Sequence, residues 1–390
     1  MQPNGNRFPF SEDALSEPRF PLVMEVCPEC WQVQIREFPS PEFLFTDHPY
    51  LSGLNAPIRE HFAWLAGHLI DKLSLPERAF VLDIGCNDGT LLAAFARHGM
   101  RTLGVDPGQQ PAARARAAGL LVADSFWGAA TGRYLRQVGL HPNLITATAV
   151  FYHVADLHGF VDGVAQALAN DGIFVVQAVW LKTVIEQLQF DHIYHEHSCL
   201  HAVGPLQRLF AEHGLTLFDV EFVDVHGGSL LLYVARSGTQ AVRPTVQAFI
   251  DDERNAGLYE RATYDAFAER VAEKGRDLRA LLVKLAREGK TVAGLGAPVK
   301  GSTLLNYCDI GPDLVQYLVE INPLKIGRVS PGTHIPIVAK EPGPPDYYLV
   351  LAWNFAPFFI ERYQSYLDAG GHFIVPMPSV EIIGAERTPR

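Results

Sequence analysis

The 390-residue chain is 48% hydrophobic and carries 43 acidic against 32 basic side chains, a formal net charge of −11. That length and apolar content supply buried cores for two or three domains, and the acidic balance argues against a partner built on a phosphate backbone, so nucleic acid is set aside. The amino terminus lacks an apolar signal-type run and no later stretch stays apolar for a membrane span, so a cytoplasmic protein without a membrane partner is expected. The five cysteines, at 27, 30, 86, 199 and 308, form no disulfide framework and fit a reducing compartment.

Residues 1–55 are proline-rich and weakly periodic. They contain Cys27-Pro-Glu-Cys30, half of a zinc knuckle. Four-coordinate zinc needs two further Cys or His ligands and no CxxC precedes this one, so the chain as written is expected to hold no tetrahedral zinc. Residues 56–75 show helical spacing (Ile58, Phe62, Leu65, Ala66, Leu69, Ile70) and lead into Val81-Leu-Asp-Ile-Gly-Cys-Asn-Asp-Gly89, a strand, a glycine turn and a helix start.

Gly85 and Gly89, with Asn87 and Asp88 between them, let the backbone pass close to a ligand, and Asp83 can accept its hydrogen bonds. Asp106 ends the next strand, roughly twenty residues on, where a carboxylate takes both ribose hydroxyls. Nicotinamide dinucleotides and S-adenosylmethionine (SAM) both use this arrangement. The turn lacks a close G-x-G pair and has an acid two residues before its first glycine, which favours SAM. A third strand brings Asp124 and Phe126 toward an adenine, and a fourth, over residues 143–154, ends near His153.

The apolar run at 172–180 reads as a buried strand, and the loop leaving it holds Phe190-Asp-His-Ile-Tyr-His-Glu-His197. Three histidines, two carboxylates and a phenol within eight residues mark this loop as the place where protons move. Strands at 215–225 and 230–235 joined by a short turn must be antiparallel. A helical connector is expected over 239–288. From 289 a second, smaller Rossmann-like pattern begins, whose Gly294-Leu-Gly296 turn and Lys300 could hold a phosphate or serve packing alone.

Assembled in order, these motifs resemble the SAM-dependent sugar C-methyltransferases, of the type that methylates C-3 of nucleotide-activated ketohexoses. The resemblance runs from about residue 20 to the end and rests on Asp83-Ile-Gly-Cys-Asn-Asp-Gly89, Gly104-Val-Asp-Pro107, His153, Ile193-Tyr-His-Glu-His197, Gly227-Gly-Ser-Leu230, Gly294-Leu-Gly-Ala-Pro-Val-Lys-Gly301, Leu304-Leu-Asn306, Lys325-Ile-Gly-Arg328, Pro331-Gly-Thr-His-Ile-Pro-Ile337 and Trp353-Asn354.

It implies an α/β fold: residues 1–55 as the remnant of a zinc-knuckle domain, 56–238 as a class I methyltransferase (Rossmann-like) domain, and 289–390 as a Rossmann-like domain helping to hold the nucleotide sugar. It also implies His197 as the base that forms an enolate, with Glu196, Tyr194 and His153 around the sugar, and His48, Tyr50, Gly296, Lys300, Asn306 and Asn354 on the substrate. The chain departs from that pattern in two places. The family's first CxxC is missing, so either the start lies at an internal methionine or the zinc is lost, and His48 stands where a tyrosine is usual. Two other functional classes remain open on residues alone: an NAD(P)-dependent oxidoreductase of sugar nucleotides, or a non-catalytic sugar-nucleotide binder. The oligomeric state is not legible.

Overall fold

The computed structural model of this chain describes residues 1–47 and 50–385. Its largest element is a seven-stranded sheet: β1 (Phe80–Ile84), β2 (Arg101–Asp106), β3 (Val122–Asp124), β4 (Leu144–Thr148), β5 (Ile173–Val179), β6 (Leu215–Val223) and β7 (Ser229–Arg236). The strands lie in the order β3-β2-β1-β4-β5-β7-β6. β1 to β5 run parallel, while β7 is antiparallel to both β5 and β6. β1, β4 and β5 are buried on both faces, which is why they read as unbroken apolar runs instead of alternating ones. One face is covered by α1 (Ala56–Leu73), whose Ile58, Phe62, Leu65, Ala66 and Leu69 fall on one stripe and pack on Val81, Val175 and Leu231.

A second sheet comprises β8 (Val292–Leu295), β9 (Leu318–Val319), β10 (Ile337–Val338), β11 (Tyr347–Val350), β12 (His372–Val375) and β13 (Glu381–Ile383). Its order is β10-β9-β8-β11-β12-β13, parallel except for the last pair. The fold is therefore α/β, a class I methyltransferase sheet followed by a smaller Rossmann-like one. Helices Pro244–Asn255 and Arg261–Arg287 connect the two. The buried Glu253 fastens the first of these to the large sheet: its carboxylate accepts from the indole of Trp180 (2.8 Å), the Val203 and Gly204 amides (2.6 and 3.1 Å) and the Tyr259 hydroxyl (2.5 Å).

The amino-terminal segment is not a detached remnant. Its hairpin, Met24–Val26 and Val33–Ile35, forms a three-stranded sheet with Cys199–Leu200, which directly follows the histidine-rich loop. Some elements are shorter than their apolar runs suggest. The fourth strand stops at Thr148, and His153 closes a short 3-10 turn, Phe151–His153. The run at 315–321 yields only Leu318–Val319 as strand, with Leu314 and Val315 buried in the core ahead of it. The histidine-rich loop leaves a helix, Leu181–Glu186, inserted after β5.

Candidate active site

The strand order reverses between β1 and β4, and the crevice at their carboxyl ends is where open α/β sheets take ligands. The glycine turn lies here. Gly85 (φ 70°), Asn87 (φ 52°) and Gly89 (φ 78°) all take left-handed backbone, which bends the chain sharply from β1 into helix Thr90–Arg97. A side chain at Gly89 would strike Leu120 at 2.4 Å, so this glycine is needed for helix packing.

Asp83 accepts from the Thr146 hydroxyl at 2.7 Å, and burial pushes its carboxyl up to about 7. Asp106 at the end of β2 accepts from the backbone amides of Asn87 and Gly108, both at 2.7 Å, which locks the turn against the second strand. The side chains of Asn87 and Asp88 face the other way. Asn87 bonds the Ser52 amide and the Tyr50 carbonyl (2.9 and 3.1 Å), and Asp88 the Gly53 amide and the Thr90 hydroxyl (2.8 and 2.6 Å). Both thus clamp the 50–53 segment onto the turn. Phe126 is half-buried, and Asp124 is exposed, 3.8 Å from Arg116.

The second half of the crevice is built around His197. Its ring lies 3.9 Å from that of Tyr194, 4.4 Å from Tyr152, 5.2 Å from His153 and 5.8 Å from His192, centroid to centroid. Asp191, His192, His195, Glu196 and His197 are all nearly inaccessible, although the sequence places them on a loop. Three contacts hold that loop in place. Ser198 donates to the Tyr152 and Val154 carbonyls (3.1 and 2.8 Å), the Ile35 amide donates to the Ser198 carbonyl (3.0 Å), and Cys199–Leu200 joins the amino-terminal hairpin.

Burial, then the neighbouring His153, His192 and Lys300, drives the His197 imidazole well below the usual histidine range, so it is neutral. Burial and the Glu196 charge hold the Tyr194 phenol well above its usual value, so it keeps its proton. His153 stacks on Phe45 at 5.2 Å. His195 turns away: its Nε2 meets the Pro21 carbonyl at 3.1 Å and its ring packs on Phe20.

The carboxyl-terminal domain reaches this cluster through Lys300 and Trp353. Lys300, in the first turn of helix Val299–Tyr307, places its ammonium 3.4 Å from His192 Nε2 and 4.6 Å from the centre of the Trp353 ring. The Trp353 indole donates to Asp191 at 2.5 Å. Gly296 (φ 83°) turns the chain just before that helix, and Asn354 lies beside Trp353, half-buried. Asn306 does not join the cluster. Its amide donates to the Ser302 and Pro331 carbonyls (2.7 and 2.9 Å), and it lines a separate groove of about 450 Å³ with Arg19 and Tyr307. Burial of the Tyr50 hydroxyl together with the Asp88 charge pushes it up to about 12, and its charge would act on Tyr152 and Tyr194. His48 lies outside the described residues.

Residue-level reading of the sequence gives no individual role to Tyr152, Asp191 or Trp353. Asp191 belongs to the very loop it singled out, and Trp353 adjoins the chosen Asn354. Cys27 and Cys30 sit at the tip of the amino-terminal hairpin with free thiols. Among the described residues no group of three or more His, Cys, Asp or Glu is placed to hold a metal ion, His192, His195 and His197 included.

Residues 58–220 match the family described as methyltransferase domain, and residues 224–378 that described as C-methyltransferase C-terminal domain. The C-methyltransferase NovU of Streptomyces niveus is 36% identical over 388 residues, 98% of this chain and 92% of that protein. This chain is a SAM-dependent C-methyltransferase. Solved structures similar to it include magnesium protoporphyrin IX methyltransferase of Synechocystis PCC 6803 with bound SAM (14% identity, 46% of this chain and 79% of that one, TM-score 0.35) and a SAM-dependent methyltransferase from Clostridium acetobutylicum (14%, 46% and 92%, 0.37). The fold of this C-methyltransferase rests on its strand order. Among the described residues, no helix is long and apolar enough to cross a membrane.

Proposed function

We propose that this C-methyltransferase methylates a carbon next to the ketone of a nucleotide-activated ketodeoxyhexose, with His197 removing the proton. The observation that carries this reading is a neutral, almost fully buried imidazole, its Nδ1 without a hydrogen-bond partner among the described residues, wedged between two phenols at the carboxyl edge of the sheet. A carbon bearing hydrogen becomes a nucleophile when the proton beside a carbonyl is removed, and a neutral imidazole within reach is suited to take it.

The depressed proton affinity of His197 fits this task. In a buried site the imidazolium is costly until a negative enolate forms beside it, so proton transfer and charge pairing occur together. Tyr194, held protonated, donates to the enolate oxygen. Glu196 accepts from a sugar hydroxyl, and His153 adds a polar contact. Lys300 and the turn at Gly296 take the nucleotide side of the acceptor, together with Tyr50, Asn354 and, outside the described residues, His48. Asn306 would contribute through its hold on Ser302 and Pro331.

The glycine turn fits SAM. Its backbone is bent sharply at the strand ends, and Asp106 closes the second strand beside it, where a carboxylate meets ribose hydroxyls. Asp83, Gly85, Gly89, Asp124 and Phe126 complete that end, with Asn87 and Asp88 fixing the loop above it. When bound, SAM supplies the electrophilic methyl group.

The test is incubation with methyl-labelled SAM and a panel of nucleotide 4-ketohexoses, followed by location of the label. Label on a ring carbon adjacent to the ketone is expected. Label on oxygen or nitrogen, or on no member of the panel, overturns the reading.

A further inference from the structure

The amino-terminal segment does more than flank the catalytic loop. Gly5 presses against the helix that carries Lys300: its carbonyl accepts from Ser302 at 3.0 Å, and a Cβ there would stand 3.0 Å from Val299 Cγ2. Phe8 lies under the Lys325 ammonium (4.6 Å), its carbonyl accepts from Arg328 (2.9 Å), and the Pro9 carbonyl accepts from the Val329 amide (3.0 Å). Farther along, Phe20 and Pro21 pack on and bond His195. The segment is thus a strap between the carboxyl-terminal domain and the loop of His197.

Between these anchors, Asn4 and Asn6 are buried. The Asn6 amide is fixed by the Asn4 side chain (3.0 Å), and Asn6 Nδ2 donates to Glu196 Oε2 at 3.4 Å. We infer that Asn6 is a positioning residue for Glu196: the strap aims the carboxylate that receives the acceptor. This rests on the reading of Glu196 given above.

The physical case is direct. Burying a carboxylate is costly, and a donor to its oxygens offsets that cost and fixes its direction. The neutral carboxamide supplies such a donor without a competing charge. The Lys325 ammonium of the carboxyl-terminal domain, held by the Ala297 carbonyl at 2.8 Å and under Phe8 of the strap, adds a favourable field, and the Glu196 charge acts on that ammonium in turn.

The test is a double-mutant cycle on the whole protein, using the nucleotide 4-ketohexose that takes label fastest in the panel above. Asn6→Ala is expected to lower kcat about tenfold with SAM affinity unchanged, and Asn6→Ala combined with Glu196→Gln should be no slower than Glu196→Gln alone. Asn6→Asp, which keeps the shape but faces one carboxylate with another, should move the acidic limb of the pH–rate profile to higher pH. Independent, multiplying effects of Asn6→Ala and Glu196→Gln would overturn the inference, as would an unchanged acidic limb in Asn6→Asp. Should Glu196→Gln itself retain full turnover, the inference falls with the role of Glu196, while labelling of a ring carbon would still uphold C-methylation.

Discussion

The two ends of the active-site crevice satisfy their polar groups in opposite ways. At the glycine turn the described carboxyl and amide groups are matched within the protein: Asp83 to Thr146, Asp88 to Gly53 and Thr90, Asn87 to Ser52 and Tyr50. Around His197, buried Asp191 Oδ1, His192 Nδ1 and His197 Nδ1 have no hydrogen-bond partner among the described residues. Each unpaired buried polar atom costs about 1–3 kcal/mol, so a fold that keeps three in one place gives up stability there. The turn is a finished scaffold whose backbone presents itself to a ligand. The loop is an unfinished one, and on the function proposed above an acceptor completes its polar atoms.

That contrast is broken most sharply at the histidine loop. His197→Asn is expected to cut methyl transfer by roughly a hundredfold to ten-thousandfold, the usual contribution of a general base, with the fold and SAM binding intact. His195→Asn, whose ring faces the Pro21 carbonyl, should be tolerated far better. Steady-state rates and SAM titrations of the two variants measure the difference, and equal losses would erase the distinction drawn between them.

At the other end, Asp106→Ala should weaken SAM binding by about 1.5–3 kcal/mol, the range for charge-assisted hydrogen bonds. Part of this comes from freeing the Asn87 and Gly108 amides, so calorimetric SAM affinity should fall while the KM for the acceptor holds. Unchanged SAM affinity would remove Asp106 from the cofactor end.

A smaller effect sharpens the cost side. His201 is fully buried against Phe151, and burial lowers it to about 4. Because its folded value lies below the ordinary one near 6.5, the unfolded chain binds a proton that the folded chain refuses. Stability is therefore lost as pH falls from about 6.5 toward 4, by roughly 1–3 kcal/mol from this group. His201→Phe should lose stability less steeply over that window in denaturant titrations. His226, lowered to about 3, acts in the same direction and keeps a slope in the variant. Identical slopes would show that His201 is not responsible.

The same contrast explains what the sequence disclosed. The glycine turn is local: Asp83, Gly85, Gly89 and Asp106 lie within one strand-turn-helix-strand unit, where spacing alone brings them together. The sheet was legible for the same reason, from apolar runs such as β5 and from the short connection that makes β6 and β7 antiparallel. The acceptor end is assembled from the strap, the histidine loop and the carboxyl-terminal domain, and no periodicity reports such distant pairings as Asn6 with Glu196 or Trp353 with Asp191. Choosing Asn354 over Trp353 shows the limit well. Which neighbour faces inward is set by the short 3-10 turn Trp353–Phe355, and both residue types suit a ligand equally. Tyr152 was passed over beside His153 for the same reason.

Proton removal before methyl transfer is the central claim, and hydrogen exchange tests it most directly. The protein, without SAM, is incubated in deuterium oxide with the nucleotide 4-ketohexose that accepts label, and deuterium at the carbon next to the ketone is followed by NMR. Exchange catalysed by the wild-type protein and reduced at least a hundredfold in His197→Asn is the expected result. Exchange at the wild-type rate in His197→Asn would place the base elsewhere, on Glu196 or His153, and contradict the account given for His197.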